Sequence, residues 1–419
     1  MKILLYGINF VPELTGIGKY TGEMAAWLAA AGHEVRVVTA PPYYPEWHVR
    51  PEYSGLQYMH NTWQGVQVWR APLWVPAKPS GIKRLLHLAS FALGSLPLML
   101  RQLAWRPEVV WVVQPPLFCA PTALCIARLC GARSWLHVQD YEVDAAFALG
   151  LLKSGLAYRL VTGLERWLMG RFDRISSIST RMLERAAAKG VPADKQVHFP
   201  NWIDLDAVRP LAMPSSFRAE WGIPADAVVA LYSGNMGNKQ GLEILAEAAH
   251  LLADEAKLHF VFCGNGSGQA ELVRLAQGLP RVRFLDLQPM ERLNDLLGLA
   301  DIHLLPQRAD AADLVMPSKL TGMLASERAV VATAHGDTEL GKVVKGCGLV
   351  SAPGDAAAFA AAIRTLAHDP LLRARFGLAG WRYAEAHLGK EPILQRFVDE
   401  LHGVRGKMAG AVLLPKEEQ

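Results

Sequence analysis

Short apolar runs with strand character alternate with amphipathic, helix-like stretches along most of this 419-residue sequence. In the first half, the apolar runs lie at 2–8, 35–40, 109–113, 134–138 and 174–178. Helix-like stretches between them include 19–31, 121–130, 156–172 and 180–189. Strands that are apolar on both faces and joined by helices form parallel sheets with helices on either side. The alternation therefore predicts an α/β fold.

The alternation pauses at a proline-rich stretch near 200–224 and then restarts. The second set of apolar runs lies at 228–233, 258–263, 282–285, 302–306, 329–333 and 348–351. A chain of this length exceeds one ordinary core, so two domains are expected. We predict a Rossmann-like domain at 1–204, a second one at 205–380, and a C-terminal helix and tail at 381–419 that cross back to the first domain. In such folds ligands bind at the carboxyl ends of strands, which places the site in the cleft between the domains.

Composition excludes several classes of protein. Apolar residues make up 51% and charged residues 20% of the chain, which excludes a mostly disordered protein. The five cysteines form no Cys-x-x-Cys pair and the histidines form no His-Glu-x-x-His motif, so we expect no metal site built by the protein. The first apolar run lacks the features of a signal peptide, and we expect a cytoplasmic protein.

One region of the first half is basic and aromatic. Between positions 53 and 139 the sole acidic residue is Glu108. Within it, the stretch 82–100 places apolar residues on one helical face behind basic residues, which fits either a helix packed on its own sheet or an interfacial membrane helix. We favour a peripheral contact of the region 53–107 with the cytoplasmic face of the plasma membrane. The residues expected to make this contact are Trp74, Lys83 and Arg84.

Glycine-rich loops follow three of the predicted strands. Glycines at a strand-to-helix turn let backbone N–H groups approach a phosphate closely. These loops contain Gly16 and Gly18, then Gly234, Asn235 and Lys239, then Gly264 and Gly266. The loop with Lys239 is not a P-loop of an ATPase, because Gln240 follows the lysine where Ser or Thr is required. For the third loop, a tight turn and a ligand contact fit the sequence equally well.

A fourth loop runs from the apolar run at 302–306 into a predicted helix. Proline suits a first helical turn, and the free N–H groups behind it, with a serine and a lysine, suit an anion. The residues in question are Asp313, Pro317, Ser318, Lys319 and Leu320. Several anion-binding loops that converge on one cleft favour a ligand with a diphosphate.

The order of these motifs resembles that of the GT-B glycosyltransferases of family 4, which are retaining enzymes that use nucleotide sugars. The motifs that carry the resemblance are TGIGKYT, HVQDYE, SIST, FPNWID, YSGNMGNKQG, GNGSG, MPSKL and AVVATA. They span essentially the whole chain. The resemblance implies two doubly wound Rossmann-like domains that face each other across a cleft.

The resemblance also implies roles for individual residues. On the donor side it implies Gly16, Gly18, Gly234, Asn235, Lys239, Gly264, Gly266, Asp313, Pro317, Ser318, Lys319 and Leu320. At the reacting centre it implies Gln139, Asp140 and Lys239, with His137, Tyr141 and Tyr44 on the acceptor or sugar side.

The sequence departs from the family pattern at three places. Asn235 replaces the arginine that usually follows the loop glycine, and Gln139 with Asp140 replaces His-Asp. The two family glutamates that hold donor hydroxyls correspond to Leu314 and Gly322. Asp313 or Thr321 could substitute for them, or Ser318 and Lys319 could take over their contacts.

By this resemblance we expect transfer without a metal or a cofactor, the nucleotide sugar being a substrate. The expected donor is a GDP-sugar such as GDP-fucose, with a UDP-sugar as alternative. The expected acceptor is a polyprenyl-diphosphate-linked oligosaccharide of exopolysaccharide biosynthesis. A nucleotide-sugar epimerase or a non-catalytic nucleotide- or lipid-binding protein of the same fold stays an alternative. The loop spacing disfavours a nicotinamide oxidoreductase, and no nucleic-acid-binding motif is present.

Overall fold

Two sheets organise the chain into two α/β domains, which confirms the predicted fold class. The computed structural model describes residues 1–13, 16–78, 80–144, 155–237, 240–308 and 317–403.

The strands of the first sheet lie in the first half of the chain. They are β1 (Lys2–Tyr6), β2 (Glu34–Thr39), β3 (Met59–Trp63), β4 (Val66–Arg70), β5 (Val109–Gln114), β6 (Arg133–Val138), β7 (Arg174–Ser177) and β8 (Gln196–His198). Their spatial order is β3-β4-β2-β1-β5-β6-β7-β8, and neighbours pair in parallel except for β3 and β4. The helices of this half are α1 (Gly16–Ala30), α2 (Gly81–Trp105), α3 (Ala120–Cys130), α4 (Leu156–Met169) and α5 (Thr180–Ala188).

The strands of the second sheet pair in parallel throughout. They are β9 (Val228–Ser233), β10 (Leu258–Cys263), β11 (Val282–Leu285), β12 (Ile302–Leu305), β13 (Ala329–Thr333) and β14 (Gly348–Ser351), in the order β11-β10-β9-β12-β13-β14. The helices of this half are α6 (Ser216–Glu220), α7 (Glu243–Leu251), α8 (Gln269–Leu275), α9 (Leu293–Leu299), α10 (Lys319–Ala325), α11 (Glu339–Cys347), α12 (Ala356–His368), α13 (Pro370–His387) and α14 (Lys390–His402).

The residues of β5 and α3 show how the sequence forms these units. Every residue of β5, Val-Val-Trp-Val-Val-Gln, is buried, as expected for a parallel strand covered on both faces. Helix α3 has Pro121 in its first turn and ends at Gly131 with a φ of 66°, which suit a helix start and a helix end. Because neighbouring strands are parallel, the loops after β1, β5 and β6 meet at one edge of the first sheet. Those after β9, β10 and β12 meet at one edge of the second.

The hairpin of β3 and β4 has no counterpart in the sequence prediction. Its outer strand β3 exposes His60, Asn61 and Thr62, so the apolar run that marks a buried strand is missing there. The two-residue connection consists of Gln64 and Gly65, both with positive φ, as such tight hairpin loops require. An exposed edge strand of this kind leaves little trace in an apolar pattern.

The chain crosses between the domains at two adjacent places. Ile203 donates its N–H to the carbonyl of Leu388 at 2.8 Å, and Lys390 donates its N–H to the carbonyl of Ile203 at 3.0 Å. Helix α13 stays with the second domain, because Ala384 and Leu388 pack in the core of that domain. The return to the first domain therefore occurs at Gly389, within the expected segment 381–419.

Helix α14 completes the core of the first domain. Its buried side chains are Ile393, Leu394, Phe397, Val398 and Leu401, which pack with residues of β1 and β5. Phe397 is 1% exposed, and its ring centroid lies 4.8 Å from that of Trp111 and 5.0 Å from that of Trp135. The last described helix thus belongs to the first sheet in space.

Replacing Phe397 by alanine should lower the free energy of unfolding by about 3–5 kcal/mol, because it leaves a cavity between two tryptophan rings. Urea unfolding followed by tryptophan fluorescence measures the change. Leu371→Ala is the control, since Leu371 is 83% exposed on α13 and its loss should change stability by no more than about 0.5 kcal/mol. Equal, small effects of the two substitutions would contradict the packing of α14 on the first sheet.

Candidate active site

The glycine loops after β9 and β10 pack directly against each other. Met236 donates its N–H to the carbonyl of Asn265 at 2.8 Å. A Cβ atom at Gly264 would lie 1.9 Å from the carbonyl oxygen of Gly234, and one at Gly266 would lie 2.6 Å from that of Met236. Gly264 and Gly266 are thus required for contact between the two loops. This is the tight-turn role that the sequence left open beside a ligand contact.

Lys319, the first residue of α10, folds back over the loop after β9. Its Nζ donates to the hydroxyl of Tyr232 at 2.5 Å and to the carbonyl of Asn235 at 3.1 Å, and lies 4.1 Å from the centroid of the Tyr232 ring. A Cβ at Gly234 would lie 2.8 Å from Cε of Lys319, so a side chain there would displace the lysine, and the φ of 117° also favours glycine. Burial lowers the pKa of Lys319 to about 7. The hydrogen-bond partners are uncharged, so no acid in the part of the chain that the structure describes pairs with the ammonium, and an anion bound at this edge would favour the charged form of Lys319.

The side chain of Asn235 does not extend into the cleft as an arginine could. Its Oδ1 lies 2.7 Å from the position of a Cβ at Gly266, so it packs against the neighbouring loop. The backbone carbonyl of Asn235 instead accepts hydrogen bonds from Tyr232 Oη at 2.6 Å and from Lys319. Asn235 therefore shapes the lysine's surroundings through its main chain.

Around Lys319 the expected donor residues separate into two groups. Pro317 and Ser318 are partly exposed at the start of α10. Leu320 is buried with Met323 in the core of the second domain, so its side chain does not reach the cleft, and its expected donor contact stays a prediction for its backbone. Gly322 is buried too, and a Cβ there would lie 3.1 Å from Leu297, which leaves no room for a glutamate. Leu320 and Gly322 are therefore core residues. Motif spacing alone does not distinguish core residues from residues that face the cleft.

The first domain touches the second beside this motif. The hydroxyl of Tyr20 on α1 forms hydrogen bonds with Thr321 and Ser318, while burial raises the pKa of the phenol. The Tyr20 ring packs edge-on against Trp202 at 5.1 Å, and Trp202 Nε1 donates to Glu23 Oε2 at 2.7 Å. The TGIGKYT, FPNWID and MPSKL motifs therefore meet in space.

The two glycines of the first loop have different surroundings. Gly16 has a φ of 60°, and a Cβ added there would meet no atom within 4 Å. Gly18 is buried, and its Cβ would lie 2.8 Å from the side chain of Glu13. Gly16 is thus open to a ligand, whereas Gly18 is required for close packing.

Glu13 is a buried carboxylate that the sequence analysis missed. It accepts hydrogen bonds from the backbone N–H groups of Tyr43 and Tyr44, both at 3.1 Å, and from Asn9 Nδ2 at 2.9 Å. Burial raises its pKa to about 7, although these donors and Arg70 favour the charged form. The signal that could have found it is an acid placed directly before a glycine loop. Glu13 joins that loop to the segment that holds Tyr44.

His137 is buried inside the first sheet and does not line the cleft. Its Nε2 accepts from Gln139 Nε2 at 2.9 Å, and its Nδ1 lies 2.8 Å from the hydroxyl of Ser176. Burial lowers the pKa of His137 to about 3, so the ring is neutral. His137 orients the Gln139 amide, which also donates to Asn201 Oδ1 at 3.3 Å, and the expected sugar-side contact of His137 stays a prediction.

Asp140 and Tyr44 lie on one face of the first domain, whereas Tyr141 points into the core. The charge of Asp140 raises the pKa of Tyr44 and of Glu142 in addition to the larger effect of burial. Arg84 of α2 lowers the pKa of both groups, which places its guanidinium near them. Tyr141 is buried and its hydroxyl donates to the carbonyl of Met182 at 2.7 Å, and its expected acceptor contact stays a prediction.

Helix α2 exposes the apolar face that the sequence identified. Leu88, Phe91, Leu98 and Met99 pack into the core. Ile82, Leu86 and Leu93 are exposed, as are the neighbouring Lys83 and Trp74. Within the described part of the chain, none of the helices has the length and apolar character needed to cross a bilayer.

Two expected donor residues, Lys239 and Asp313, lie outside the described residues, as does Leu314. In the described ranges no three His, Cys, Asp or Glu side chains come together as ligands for a metal ion.

Two domain families match the sequence. Residues 15–202 match the glycosyl transferase 4-like domain, and residues 227–369 match the glycosyl transferases group 1. The chain therefore belongs to the group 1, or family 4, glycosyltransferases, as its motifs indicate.

Individual relatives agree with this family. The chain is 45% identical over 413 residues to a protein of Escherichia coli (strain K12) named as the glycosyl transferase WcaI of colanic acid biosynthesis, covering 96% of this chain and 100% of that one. Sucrose-phosphate synthase of Thermosynechococcus elongatus has a TM-score of 0.75 at 17% identity, over 96% of this chain and 98% of that chain. The Anabaena protein Alr3699/HepE, solved with UDP, has a TM-score of 0.67 at 16% identity, over 96% and 100%. The two structures share the GT-B fold.

Replacing Lys319 by methionine should change how the free energy of unfolding depends on pH. The folded protein releases the Lys319 proton near pH 7, whereas the unfolded chain keeps it up to the ordinary lysine pKa of 10.5. Between these values the unfolded chain binds more protons, so wild-type stability rises with pH by at most about 1.4 kcal/mol per pH unit from this group. Urea unfolding at several pH values above 7 should show the wild type gaining stability relative to Lys319→Met.

Lys257→Met is the matched control for this measurement. Lys257 is 73% exposed, and its hydrogen bond to Asp226 raises its pKa, so it stays charged over the same range. Its difference from the wild type should not change with pH. If the Lys319→Met difference were equally constant, Lys319 would keep its proton throughout and the burial argument would be wrong.

Proposed function

We propose that this protein is a retaining, metal-independent glycosyltransferase of colanic-acid-like exopolysaccharide biosynthesis. It moves a sugar from a nucleoside-diphosphate sugar to a polyprenyl-diphosphate-linked oligosaccharide. The burial of the Lys319 ammonium among uncharged partners, beside the glycine loop after β9, is the single observation that carries this proposal.

Charge builds on the departing diphosphate as the bond from the anomeric carbon to its oxygen breaks. Positioned cations stabilise this charge most in a site from which water is excluded. The Nζ of Lys319 is held by Tyr232 and by the carbonyl of Asn235, so it needs little reorganisation when the diphosphate arrives. Lys239, outside the described residues, is the second cation of the proposal. These two cations stabilise the negative charge on the departing diphosphate, as a bound metal ion does in other transferases.

Retention follows from attack on the face from which the diphosphate leaves. The acceptor hydroxyl forms the new bond to the anomeric carbon, and its proton passes to the departing phosphate oxygen. Asp140 and Gln139 orient the sugar or the acceptor in this scheme. The amide of Gln139 suits that role, because His137 and Asn201 fix its position.

A GDP-sugar such as GDP-fucose is the favoured donor, and a UDP-sugar is the alternative. The likeness to the WcaI protein, which is named for colanic acid biosynthesis, supports the exopolysaccharide assignment. The UDP in the HepE structure supports a nucleoside diphosphate in this fold.

A lipid-linked acceptor fits the face of the first domain beside Asp140. Arg84 lies near Tyr44 and Glu142 on that face, where it can attract the acceptor's diphosphate. From the same helix, Ile82 and Leu93 project apolar side chains that are 72% and 73% exposed. Apolar groups beside cations are typical of surfaces that contact anionic lipid. The protein is thus a peripheral one on the cytoplasmic face of the plasma membrane.

Lys319→Ala should lower kcat/KM for sugar transfer by about 10²–10³-fold, as loss of one positioned donor does elsewhere. The assay follows labelled sugar from GDP-fucose and UDP-sugars into polyprenyl-diphosphate-linked oligosaccharide. It is preceded by a thermal-shift panel of GDP, UDP, TDP, ADP and NAD, in which a ligand of the folded state raises the melting temperature. We expect a shift with GDP and none with NAD.

The exposed Lys257 provides the control substitution, Lys257→Ala, which should keep wild-type activity. Normal turnover by Lys319→Ala would remove Lys319 from the clamp. Conversion of the donor without acceptor would indicate the epimerase, and binding without any turnover would indicate the non-catalytic alternative. A shift with NAD alone would contradict the transferase.

Ile82→Ser with Leu93→Ser should weaken binding to anionic vesicles by at least about tenfold, because two apolar side chains no longer enter the lipid interface. Sedimentation with phosphatidylglycerol-containing and with pure phosphatidylcholine vesicles measures this. Met213→Ser with Leu371→Ser removes exposed apolar groups elsewhere and should bind normally. Lys83→Glu should also weaken binding in low salt. Equal binding by both double variants would exclude α2 as the contact surface.

A further inference from the structure

A cavity of about 420 Å³ lies on the flank of the second domain. Its walls come from strands β10 and β11 and from the segment before β9, and they include Trp221, His259, Phe260, Arg281, Arg283 and Phe284. His259 lies on β10, five residues before Gly264, the first residue after that strand, which corresponds to roughly 17 Å along an extended chain. The cavity is therefore separate from the loops that face the cleft.

The charged lining of this cavity is entirely cationic, and no acidic residue is part of its wall. Arg281 donates to the carbonyl of Ala253 and Arg283 to the carbonyl of Trp221, both at 2.7 Å. These partners hold the guanidinium groups in place without neutralising them. The Nε of Arg281 is buried and lacks a hydrogen-bond partner among the described residues.

His259 reports the same excess of positive charge. Burial lowers its pKa, and the charges of Arg281, Arg218 and Arg283 lower it further. Arg218 of α6 is paired with Asp301 at 2.7 Å. Arg281 and Arg283 lie on the cavity wall, on the chain segment that pairs with the strand of His259. Among the described residues, the positive charge near His259 that no acid pairs therefore comes from the β11 side.

The remaining walls are apolar and aromatic. The Trp221 ring is stacked on Phe217 at a centroid distance of 4.2 Å, which fixes it against the second sheet. Phe260 and Phe284 line the strand side. Guanidinium groups that are held in place beside aromatic walls suit an oxyanion, because their N–H groups can donate to several of its oxygens at once.

We propose that this cavity binds a ligand of the phosphate class, with its oxygens held by Arg281, Arg283 and His259. The site is independent of the transfer reaction, and its ligand is either a free phosphate anion or the phosphate end of a small metabolite. A phosphate would supply the counter-charge that the cavity wall lacks. Binding would also draw a proton onto His259, because a nearby anion favours the charged ring.

NMR of the labelled full-length protein tests this proposal through the His259 ring resonances. Inorganic pyrophosphate should shift them with saturation and raise the pKa of His259, whereas sodium chloride at equal ionic strength should not. Arg283→Gln should weaken the apparent affinity by about tenfold, the effect of losing one charged hydrogen bond. Arg274→Gln is the matched control, since Arg274 is exposed on α8 and paired with Glu271, and it should behave as the wild type.

Three comparisons decide the outcome. Similar affinity for pyrophosphate and GDP supports a free anion, whereas tighter binding of GDP supports a metabolite whose ring stacks on the aromatic wall. Arg283→Lys, which keeps the charge but not the planar fork, serves if Arg283→Gln does not fold, and it should weaken binding less. Shifts no larger than those with sodium chloride, or an affinity unchanged by both Arg283 variants, would overturn the proposal. Neither result depends on turnover of a nucleotide sugar. The proposed phosphate site can therefore be confirmed or overturned independently of the proposed transferase activity.

Discussion

The hydrogen bonds of the Lys319 ammonium to Tyr232 and to the carbonyl of Asn235 govern the shape of the second domain's edge. Glycine at position 234 has a φ of 117° and leaves space for the lysine that passes over it, and position 264 must be glycine because the carbonyl of Gly234 lies against it. The two glycine positions are linked, because the backbone of Gly234 contacts both the lysine and Gly264. The glycines of this edge therefore serve a buried cation first, and any phosphate that binds there meets a surface already formed around that cation.

The first domain holds a group of opposite charge in a comparable way. Glu13 is buried behind Gly18 and ties Tyr43 and Tyr44 to the first loop, and burial raises its pKa to about 7. Lys319 in the other domain has its pKa lowered to about 7 by burial. Each domain thus holds at its edge one group that desolvation brings close to a neutral form. Tyr20 connects these two edges through Ser318 and Thr321.

Much of the fold could be predicted from apolar runs, because parallel strands buried on both faces leave a continuous signal. The bounds of β9, β10, β11, β13 and β14 are those expected from the sequence. Strand β3 left no such signal, since its middle residues face solvent. The site was harder to predict because a motif gives positions and not directions. Burial removes from solvent the side chains of His137, Tyr141 and Leu320. Glu13 precedes the first glycine loop and is not part of the glycine motif itself. Spacing along the chain cannot show which side of a strand or helix faces the cleft.

The paired crossings at Ile203 and Gly389 have a mechanical consequence. Two chain segments that run side by side and hydrogen-bond to each other form a single hinge between the domains. Lys390 and Asp204, whose charged atoms lie 3.4 Å apart, fasten the segments at the same point. Hinges of this kind allow large rotations while each domain stays rigid. Rotation about this hinge would change the distance between the loop edges of the two sheets, and the doubled connection would resist sliding of one domain past the other.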